Sequence, residues 1–267
     1  MTQAVEVAGS ASPGGGAAGP AGQPTRRDRL RAATSEEIIQ TARDLLVASG
    51  PEAVSLRAIA REMGMTAPGL YRYFASHTEL VRYVCASIFT ELGEDIRRAI
   101  MAADSGYQGD PDHKAEHLTL KMVAACREFR RWGLAHKAEF ALLFGVPLPG
   151  FDDGRFDIAD ECALAFAGVF FTMFLELWAA VQFPVPAAEE IDPGLRDELL
   201  RYRNALGADI PVGAVLTFLR CWTVLYGAVA MEVFGHIRFA LADAAPMFEI
   251  TLGDLASLVG LRYPLRP

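Results

Sequence analysis

The stretch Ser55–Phe74, SLRAIAREMGMTAPGLYRYF, constrains the fold of this chain more than any other. Apolar side chains recur at i, i+3, i+4 and i+7 after Ser55, which predicts a short amphipathic helix with Ser55 as its N-cap. Gly64 follows as the left-handed residue that ends this helix. Thr66 can cap a second short helix that runs through Phe74. Two short helices joined by a tight glycine turn form a helix-turn-helix, whose second helix can enter the major groove of DNA.

Outward-facing side chains of this stretch suit contact with DNA. Small residues at the start of the second helix let its N-terminus approach base edges, and aromatic and cationic residues at its end suit phosphate and thymine-methyl contacts. Arg57 is the candidate for bidentate recognition of guanine. The residues predicted near bases are Arg57, Thr66, Ala67, Pro68, Gly69 and Tyr71, and those predicted near phosphates include Arg72 and Tyr73. Such helix pairs also occur as plain packing elements in all-α proteins, so the pattern alone leaves both interpretations open.

The segment from Thr34 to Leu80 resembles the DNA-binding domain of TetR-family transcriptional regulators. The resemblance is carried by IIQTARDLLVASG, VSLRAIAREMGMTAPGLYRYF and ASHTELV, and Gly-Leu-Tyr-Arg-Tyr-Phe is its most specific part. It implies an all-α, homodimeric DNA-binding regulator, more often a repressor than an activator, that binds a palindromic operator. Family members usually carry lysine at the position of His77 and contact a phosphate there. The resemblance therefore implies a weaker and pH-dependent phosphate contact by His77.

The chain around this segment is predicted to be helical. Thr34 with Glu37, and Ser76 with Glu79, predict capping boxes that start two helices, the second running over 77–103. Further helices are predicted at 113–132, 134–145, 157–183, 193–206, 211–236 and 245–261, separated by glycine and proline. The predicted domains are a tail over 1–33, a DNA-binding domain over 34–80 and a helical effector-binding and dimerisation domain over 81–267.

The tail has two parts. Residues 1–24 consist mainly of glycine, alanine, proline and serine without periodicity, and are expected to be disordered. Four arginines follow before the first predicted helix. They favour an arm that contacts DNA beside the helix-turn-helix, and an ordinary solvated charge run is the alternative. These residues are Arg26, Arg27, Arg29 and Arg31.

Part of the C-terminal region resembles the WHG-type C-terminal domain of many TetR-like regulators. The matching residues are Phe140-Ala-Leu-Leu-Phe144-Gly with Pro147 and Pro149, and later Trp222-Thr-Val-Leu-Tyr226-Gly227. Tyr226 occupies the position of the usual histidine of the second motif.

Composition argues for a cytoplasmic protein that is not an enzyme. The net charge is −8, but the segment 26–80 carries a surplus of one positive charge, so the acid lies away from the helix-turn-helix. The four cysteines are widely spaced, as expected for buried thiols in a reducing compartment. The longest uncharged run, around Ala163–Leu175, is shorter than the roughly 18–20 residues of a membrane span.

Motifs for catalysis, metals and cofactors are missing from the sequence. It has no phosphate-binding loop, His-Glu-x-x-His pair or nucleophile elbow, and its glycine run Gly14–Gly16 belongs to the low-complexity tail and is not a phosphate loop. His113 and His117 have a spacing compatible with a metal, but a solvated helix face is favoured. No cofactor is predicted. An all-α enzyme and a nucleoid-type DNA-binding protein without an effector are the alternatives to a regulator.

The aromatic-rich helices at 157–183 and 211–236 are apolar nearly all round, which requires burial on more than one side. Ordinary core, a subunit interface and a ligand cavity all explain this pattern, and they can coexist on different faces. We expect the two helices to pair with their symmetry mates in a four-helix bundle, as the family resemblance also implies.

We also expect a small hydrophobic or aromatic effector. Its binding would shift the population toward an arrangement of the two DNA-binding domains that no longer fits the operator, through the helix that starts at His77. Tyr226 is the expected hydrogen-bonding group of the pocket. The predicted lining is Phe140, Phe144, Phe171, Phe174, Trp178, Trp222 and Tyr226. Plain core packing is the alternative for each of these residues.

Overall fold

The computed structural model describes residues 25–50, 53–107, 114–145 and 158–263. Within these ranges there are ten α-helices and no strand, as the sequence predicts. The helices are α1 (Arg26–Ser49), α2 (Leu56–Glu62), α3 (Ala67–Leu70), α4 (His77–Gly106), α5 (Lys114–Ala135), α6 (Lys137–Phe144), α7 (Ile158–Val181), α8 (Pro193–Ala205), α9 (Val212–Val233) and α10 (Ala245–Leu258). A short 3-10 turn, Ala188–Glu190, precedes α8.

The caps of the helix-turn-helix follow the sequence prediction. Ser55 Oγ accepts a hydrogen bond from the Ala58 backbone N–H at 3.2 Å, which caps α2. Gly64 has φ +63°, the left-handed conformation that ends α2 without a Cβ penalty. Thr66 Oγ1 accepts from the Gly69 N–H at 3.3 Å and caps α3. We call Ser55–Phe74 the reading unit.

The first helix begins earlier than predicted. It starts at Arg26, where Thr25 Oγ1 accepts from the Asp28 N–H at 3.2 Å and Asp28 accepts from the Thr25 N–H at 3.0 Å. Thr34 is not a cap, since its hydroxyl donates to the Leu30 carbonyl one turn back. The four arginines of the predicted arm therefore lie inside α1, and residues 1–24 lie outside the described ranges.

Two other helix boundaries were predicted wrongly. The second helix of the reading unit ends at Leu70 because the following N–H groups of Arg72 and Tyr73 bond three residues back, which tightens the last turn. Gly133 does not break a helix but lies inside α5. A Cβ there would meet Phe140 Cδ2 at 2.9 Å, so this glycine permits close packing of α6.

Backbone contacts divide the chain into two compact units, Met1–Glu37 and Ile38–Pro267. The predicted domain boundaries at 33/34 and 80/81 fall inside α1 and α4. In the larger unit, α4 packs along both α5 and α7, while α10 packs on α9 and α5. Because α4 begins at the reading unit and continues along α5 and α7, one rigid element joins the reading unit to the helices that follow it.

Among the described residues, two helices are long and apolar enough to cross a membrane by length and composition alone, namely α7 and α9, a test that core helices of soluble proteins also pass. The uncharged run singled out in the sequence is the central part of α7, and the helix reaches this length by including acidic residues on both sides of the run. Only 33% of the most apolar window of α7 and 44% of that of α9 is buried within the chain. Both helices pack on α5, and α7 also packs on α4, so each buries one face in the domain and leaves another exposed.

Candidate functional site

The exposed face of the reading unit carries most of the residues predicted to contact DNA. Arg57 lies exposed in the first turn of α2. Tyr71 follows α3 and is 54% exposed, which is unusual for an aromatic side chain without a partner molecule. Beneath this face, Leu70 and Phe74 are buried and fix the orientation of α3. The face combines small residues at the start of α3, an aromatic ring at its end and a guanidinium on the neighbouring helix.

His77 is tied to the protein at the start of α4. Its Nε2–H donates to the Val54 carbonyl, with 2.6 Å between the two atoms. Val54 precedes α2, so this bond holds the start of α4 against the entrance to the reading unit. A neutral imidazole that donates from Nε2 leaves Nδ1 as an acceptor, which repels a phosphate oxygen. A phosphate contact through the ring therefore requires the protonated form.

An ionic junction connects α1, α4 and α6. Arg43 makes a two-pronged contact with Glu91, including Nη2 to Oε1 at 3.0 Å, and its Nε donates to Glu139 Oε1 at 3.3 Å. Glu139 is only 4% exposed, and His136 Nδ1 lies 3.5 Å from its Oε1. The hydrogen bond from Arg43 lowers the pKa of Glu91, and the same bond raises the pKa of Arg43. Because the donors of a guanidinium point in fixed directions, the contacts of Arg43 with Glu91 and Glu139 allow only one arrangement of the side chains at this junction.

A cavity lies among α5, α7, α9 and α10. The cavity has a volume of about 70 Å³, which is larger than the roughly 10–15 Å³ that a single water needs. The lining residues are Thr119, Met122, Val123, Cys126, Phe170, Phe174, Phe218, Cys221, Trp222, Leu225, Leu252, Leu255, Ala256, Val259 and Leu261.

Only two of the seven predicted effector-pocket residues line this cavity, Phe174 and Trp222. Phe140 and Phe144 pack in the aromatic core, 4.8 Å apart between ring centroids. Phe171 packs on Phe218, and Trp178 packs on Phe183. These four side chains are engaged by neighbouring rings and do not line the cavity.

Tyr226 does not line the cavity either. Its hydroxyl donates to the Phe144 carbonyl at 2.8 Å and so ties α9 to the end of α6. Because the proton of this hydroxyl is used within the chain, only its oxygen is left to accept a hydrogen bond from a ligand.

Sequence reasoning missed most of the cavity wall, above all the part from α10. The sequence showed α10 only as another apolar helix, and nothing local indicated what it covers. It is held in place by polar contacts at its edge, since Arg127 donates to Glu249 at 3.0 and 2.8 Å and to the Tyr263 hydroxyl at 2.9 Å. Arg130 adds a bidentate contact to Glu232 and lies over the Phe248 ring at 5.3 Å. These contacts keep α10 in place as one wall of the cavity.

The two thiols in the cavity are held in their neutral form. Burial raises the pKa of Cys126 to about 12 and that of Cys221 to about 11. Because the thiolate is the nucleophile and the metal ligand, these thiols behave as weakly polar lining groups. The remaining polar side chain is Thr119, whose hydroxyl donates to the Ala115 carbonyl at 2.7 Å.

An aromatic chain leads from the cavity to α4. Trp222, in the cavity wall, contacts Phe166 with 5.8 Å between ring centroids. Phe166 in turn contacts Phe89 of α4 at 5.8 Å. Ring pairs at this separation interact directly. Two ring contacts therefore connect the cavity wall to the helix that starts at the reading unit.

The histidine pair considered for a metal gives no such site in the described part of the chain. His117 Nε2 lies 3.0 Å from Asp104 Oδ1, and its ring stacks on Tyr107 at 4.4 Å. His113 lies outside the described ranges. Among the described residues, no group of three or more histidine, cysteine, aspartate or glutamate side chains is placed to hold a metal ion.

Two family models match the chain. Residues 38–84 match the model for bacterial regulatory proteins, tetR family. Residues 122–255, half of the chain, match the model for the tetracyclin repressor-like C-terminal domain. The first match contains the reading unit, and the second contains most of the cavity wall.

Relatives and solved structures agree with these matches. HTH-type transcriptional regulators of Mycobacterium tuberculosis and Mycobacterium bovis are each 27% identical over 226 residues, covering 84% of this chain and 91% of theirs. The crystal structure of SCO4313, a protein assigned as regulatory, is 26% identical and superposes with a TM-score of 0.64, covering 87% of this chain and 100% of that one. A protein of unknown function from Rhodococcus sp. RHA1 shares the fold, with a TM-score of 0.55 over 91% of this chain and 19% identity.

Proposed function

Since the chain belongs to the TetR family of bacterial transcriptional regulators, we propose that it is a ligand-responsive repressor that binds a palindromic operator as a homodimer in the cytoplasm. The observation that carries the DNA-binding part is the exposed, capped face of the reading unit. The named relatives are transcriptional regulators, which favours this function over an all-α enzyme.

Base recognition falls to the first turns of α2 and α3. Arg57 is exposed and reads guanine with its two-pronged guanidinium, a contact worth about 1–3 kcal/mol of discrimination. The start of α3 approaches the bases through its small residues, and Tyr71 contacts a thymine methyl or a phosphate. Arg72 and Tyr73 contact phosphates and hold the register. The proposed contact residues remain Arg57, Thr66, Ala67, Pro68, Gly69, Tyr71, Arg72, Tyr73 and His77.

The contact of His77 is proposed to need the protonated ring. Its Nε2–H is bonded to Val54, so only the protonated ring presents a second donor to a phosphate. The variant His77→Lys supplies a charged donor at this position and should bind the operator more tightly than the wild type. Equal operator affinity of the wild type, His77→Lys and His77→Ala would contradict the phosphate contact.

The DNA contacts are tested by competitive binding to an operator and to scrambled duplexes. Arg57→Ala should reduce the preference for the operator by about 10- to 100-fold, and Tyr73→Ala should weaken binding to all duplexes alike. The exposed Arg201→Leu on α8 is the control and should bind as the wild type does. If the wild type bound every duplex equally, the nucleoid-type alternative would replace the repressor.

The homodimer is proposed to form through the exposed faces of α7 and α9. On α7, the 52%-exposed Leu164 is followed one turn later by Gly168, and on α9 the 41%-exposed Val224 is followed by Gly227. Apart from the neighbouring backbone of its own helix, a Cβ added at either glycine would meet no described atom within 4 Å. A glycine inside a helix lowers stability by about 0.5–1 kcal/mol relative to alanine. The close approach of a partner helix would explain why glycine occupies these two positions.

Substitution of the glycines tests this interface. Gly227→Leu leaves the isolated chain without a clash, yet fills the space that a partner helix needs. We expect the variant to remain helical, to become a monomer in light scattering at micromolar concentration, and to bind a full palindrome no better than a half-site. A Gly227→Leu protein that stays dimeric would place the interface elsewhere, and a monomeric wild type would defeat the homodimer.

The effector response is proposed to act through α4. The support for it is the aromatic chain from Trp222 through Phe166 to Phe89, which links the cavity wall to the helix that begins at the reading unit. A ligand that fits only one position of this chain shifts the population of α4 orientations, and it must bind that state more tightly to do so. Phe89→Leu keeps an apolar side chain but shortens the ring contact. The variant should still bind both the operator and a ligand. Ligand binding should, however, change its operator affinity less than it changes that of the wild type.

A further inference from the structure

The cavity under α10 has a lining that restricts the chemistry of its ligand more narrowly than the family assignment does. Its wall contains no charged side chain. The hydroxyl of Thr119 already donates to a backbone carbonyl. The other polar groups are the thiols of Cys126 and Cys221, which are weak donors, and the neutral indole N–H of Trp222. A charged ligand would therefore lose its hydration without gaining a partner of opposite charge, at a cost that the apolar wall cannot offset.

The aromatic part of the wall sets a second preference. The small empty space, about 70 Å³, favours a small ligand such as a single aromatic ring or a short branched alkane. Apolar cavities of this kind bind such molecules because dispersion contacts replace empty space. The rings of Phe170, Phe174 and Trp222 line the wall and suit a flat aromatic ligand.

The position of the cavity makes α10 part of the site. The C-terminal segment contributes Leu252, Leu255, Ala256, Val259 and Leu261 to the wall. The bridge from Arg127 to Glu249 and Tyr263 holds this segment at its edge.

We infer that the α10-covered cavity is a binding site for a small, uncharged apolar molecule, most readily a single aromatic ring, and that it rejects the same ring carrying a carboxylate or an ammonium group. This inference rests on the proposed effector response and narrows it to a ligand class. It concerns the binding step alone, which can be measured without DNA.

The experiment compares toluene with benzoate and benzylammonium, which attach one charged group to the same ring. Binding is measured by the ligand-induced rise in Tm of the full-length protein, which grows as the ligand concentration exceeds Kd. Toluene should raise Tm, and its Kd should be at least tenfold lower than that of either charged molecule. Equal affinity for benzoate or benzylammonium, or no effect of toluene up to its solubility limit, would overturn the inference.

A cavity-filling variant locates the binding. Ala256→Leu places a larger side chain into the cavity from α10 and should raise the Kd of toluene at least tenfold. Ala205→Leu makes the same change at an exposed position of α8 and should leave the Kd unchanged. If Ala256→Leu does not fold, Cys221→Leu fills the space from α9 instead. Toluene binding that survives a folded cavity-filling variant would place the ligand elsewhere and overturn the inference.

Operator binding is then measured separately. If toluene binds as described but leaves operator affinity unchanged, the ligand class stands and the proposed effector switch fails. If the protein binds no operator yet binds toluene with the expected selectivity, the ligand class again stands and the repressor function fails. The two proposals are thus tested by different readouts.

Discussion

The reading unit and the α10-covered cavity are built in opposite ways. The reading unit takes its functional residues from one continuous stretch, and each of its two helices is capped by a side chain three residues away. The cavity takes its wall from four helices between Thr119 and Leu261. The reading unit presents a surface above a filled core, whereas the cavity leaves space within the core itself.

This difference shows which kind of site a sequence can reveal. Caps, glycine turns and apolar spacing act over a few residues, so the reading unit can be recognised in the sequence without knowledge of any tertiary contact. A cavity exists only where the side chains of distant helices fail to fill the space between them, and packing density is a property of the whole domain. The predictions below test how far this contrast in packing holds.

The largest effect is expected from truncating a leucine in each region. Leu70 is fully buried under the reading face, whereas Leu255 borders the cavity. Leu70→Ala should lower the free energy of unfolding by about 2–5 kcal/mol, and Leu255→Ala should fall at the low end of that range, because its side chain has fewer neighbours to lose. Urea denaturation of both variants measures the difference. Equal losses would mean that the cavity is filled by side chains in solution.

Enlarging a small residue should again destabilise the reading unit more than the cavity region. Ala60 is 3% exposed in the core of the reading unit, and Leu at this position should cost about 1–3 kcal/mol through overpacking. Ala256→Leu directs the same added atoms into the cavity and should leave the free energy of unfolding unchanged or raise it by about 1 kcal/mol. Thermal denaturation without ligand distinguishes the two. A Tm for Ala256→Leu as low as that for Ala60→Leu would contradict an open cavity.

A smaller effect is expected where α1, α4 and α6 meet. Arg43→Met keeps the apolar stem but removes the guanidinium, which leaves the buried Glu139 without its arginine partner. Stability should fall by about 1–3 kcal/mol, the usual cost of an unsatisfied buried polar group. The double variant Arg43→Met with Glu139→Gln should recover part of this loss, because the unpaired charge is then removed. No recovery in urea denaturation would show that the loss comes from packing instead.

The smallest expected effect is on the way stability changes with pH under acidic conditions. The pKa of Glu91 is lowered in the folded protein by its hydrogen bond from Arg43. Its contribution to stability is therefore fully present above the ordinary value of an unfolded glutamate, about 4.3, and is lost as the pH falls through the lower folded value. The stability of Glu91→Gln should vary less between pH 5 and pH 3 than that of the wild type. A variant with the same acid dependence as the wild type would assign that dependence to other carboxylates.

The sequence by itself determined the helical fold, the reading unit with its caps and the identity of the family. Ser55, Gly64 and Thr66 each act on neighbours within three or four residues, and such local rules are readable in one dimension. Helix ends were less well determined, as the first helix shows. Thr34 and Glu37 have the spacing of a capping box, but the helix begins earlier, where Thr25 and Asp28 form the cap. The helix then continues through Thr34 and Glu37.

Only the tertiary structure decided which aromatic side chains line a cavity and which fill the core. The sequence placed Phe140 and Trp222 in one predicted pocket, but the structure packs Phe140 in the core and leaves Trp222 facing the cavity. The role of Gly133 was also decided by the tertiary structure, because the lack of a side chain at this position lets Phe140 of the next helix pack closely against it. Hydrophobic attraction is non-directional, so an apolar pattern states that a side chain is buried without stating against what.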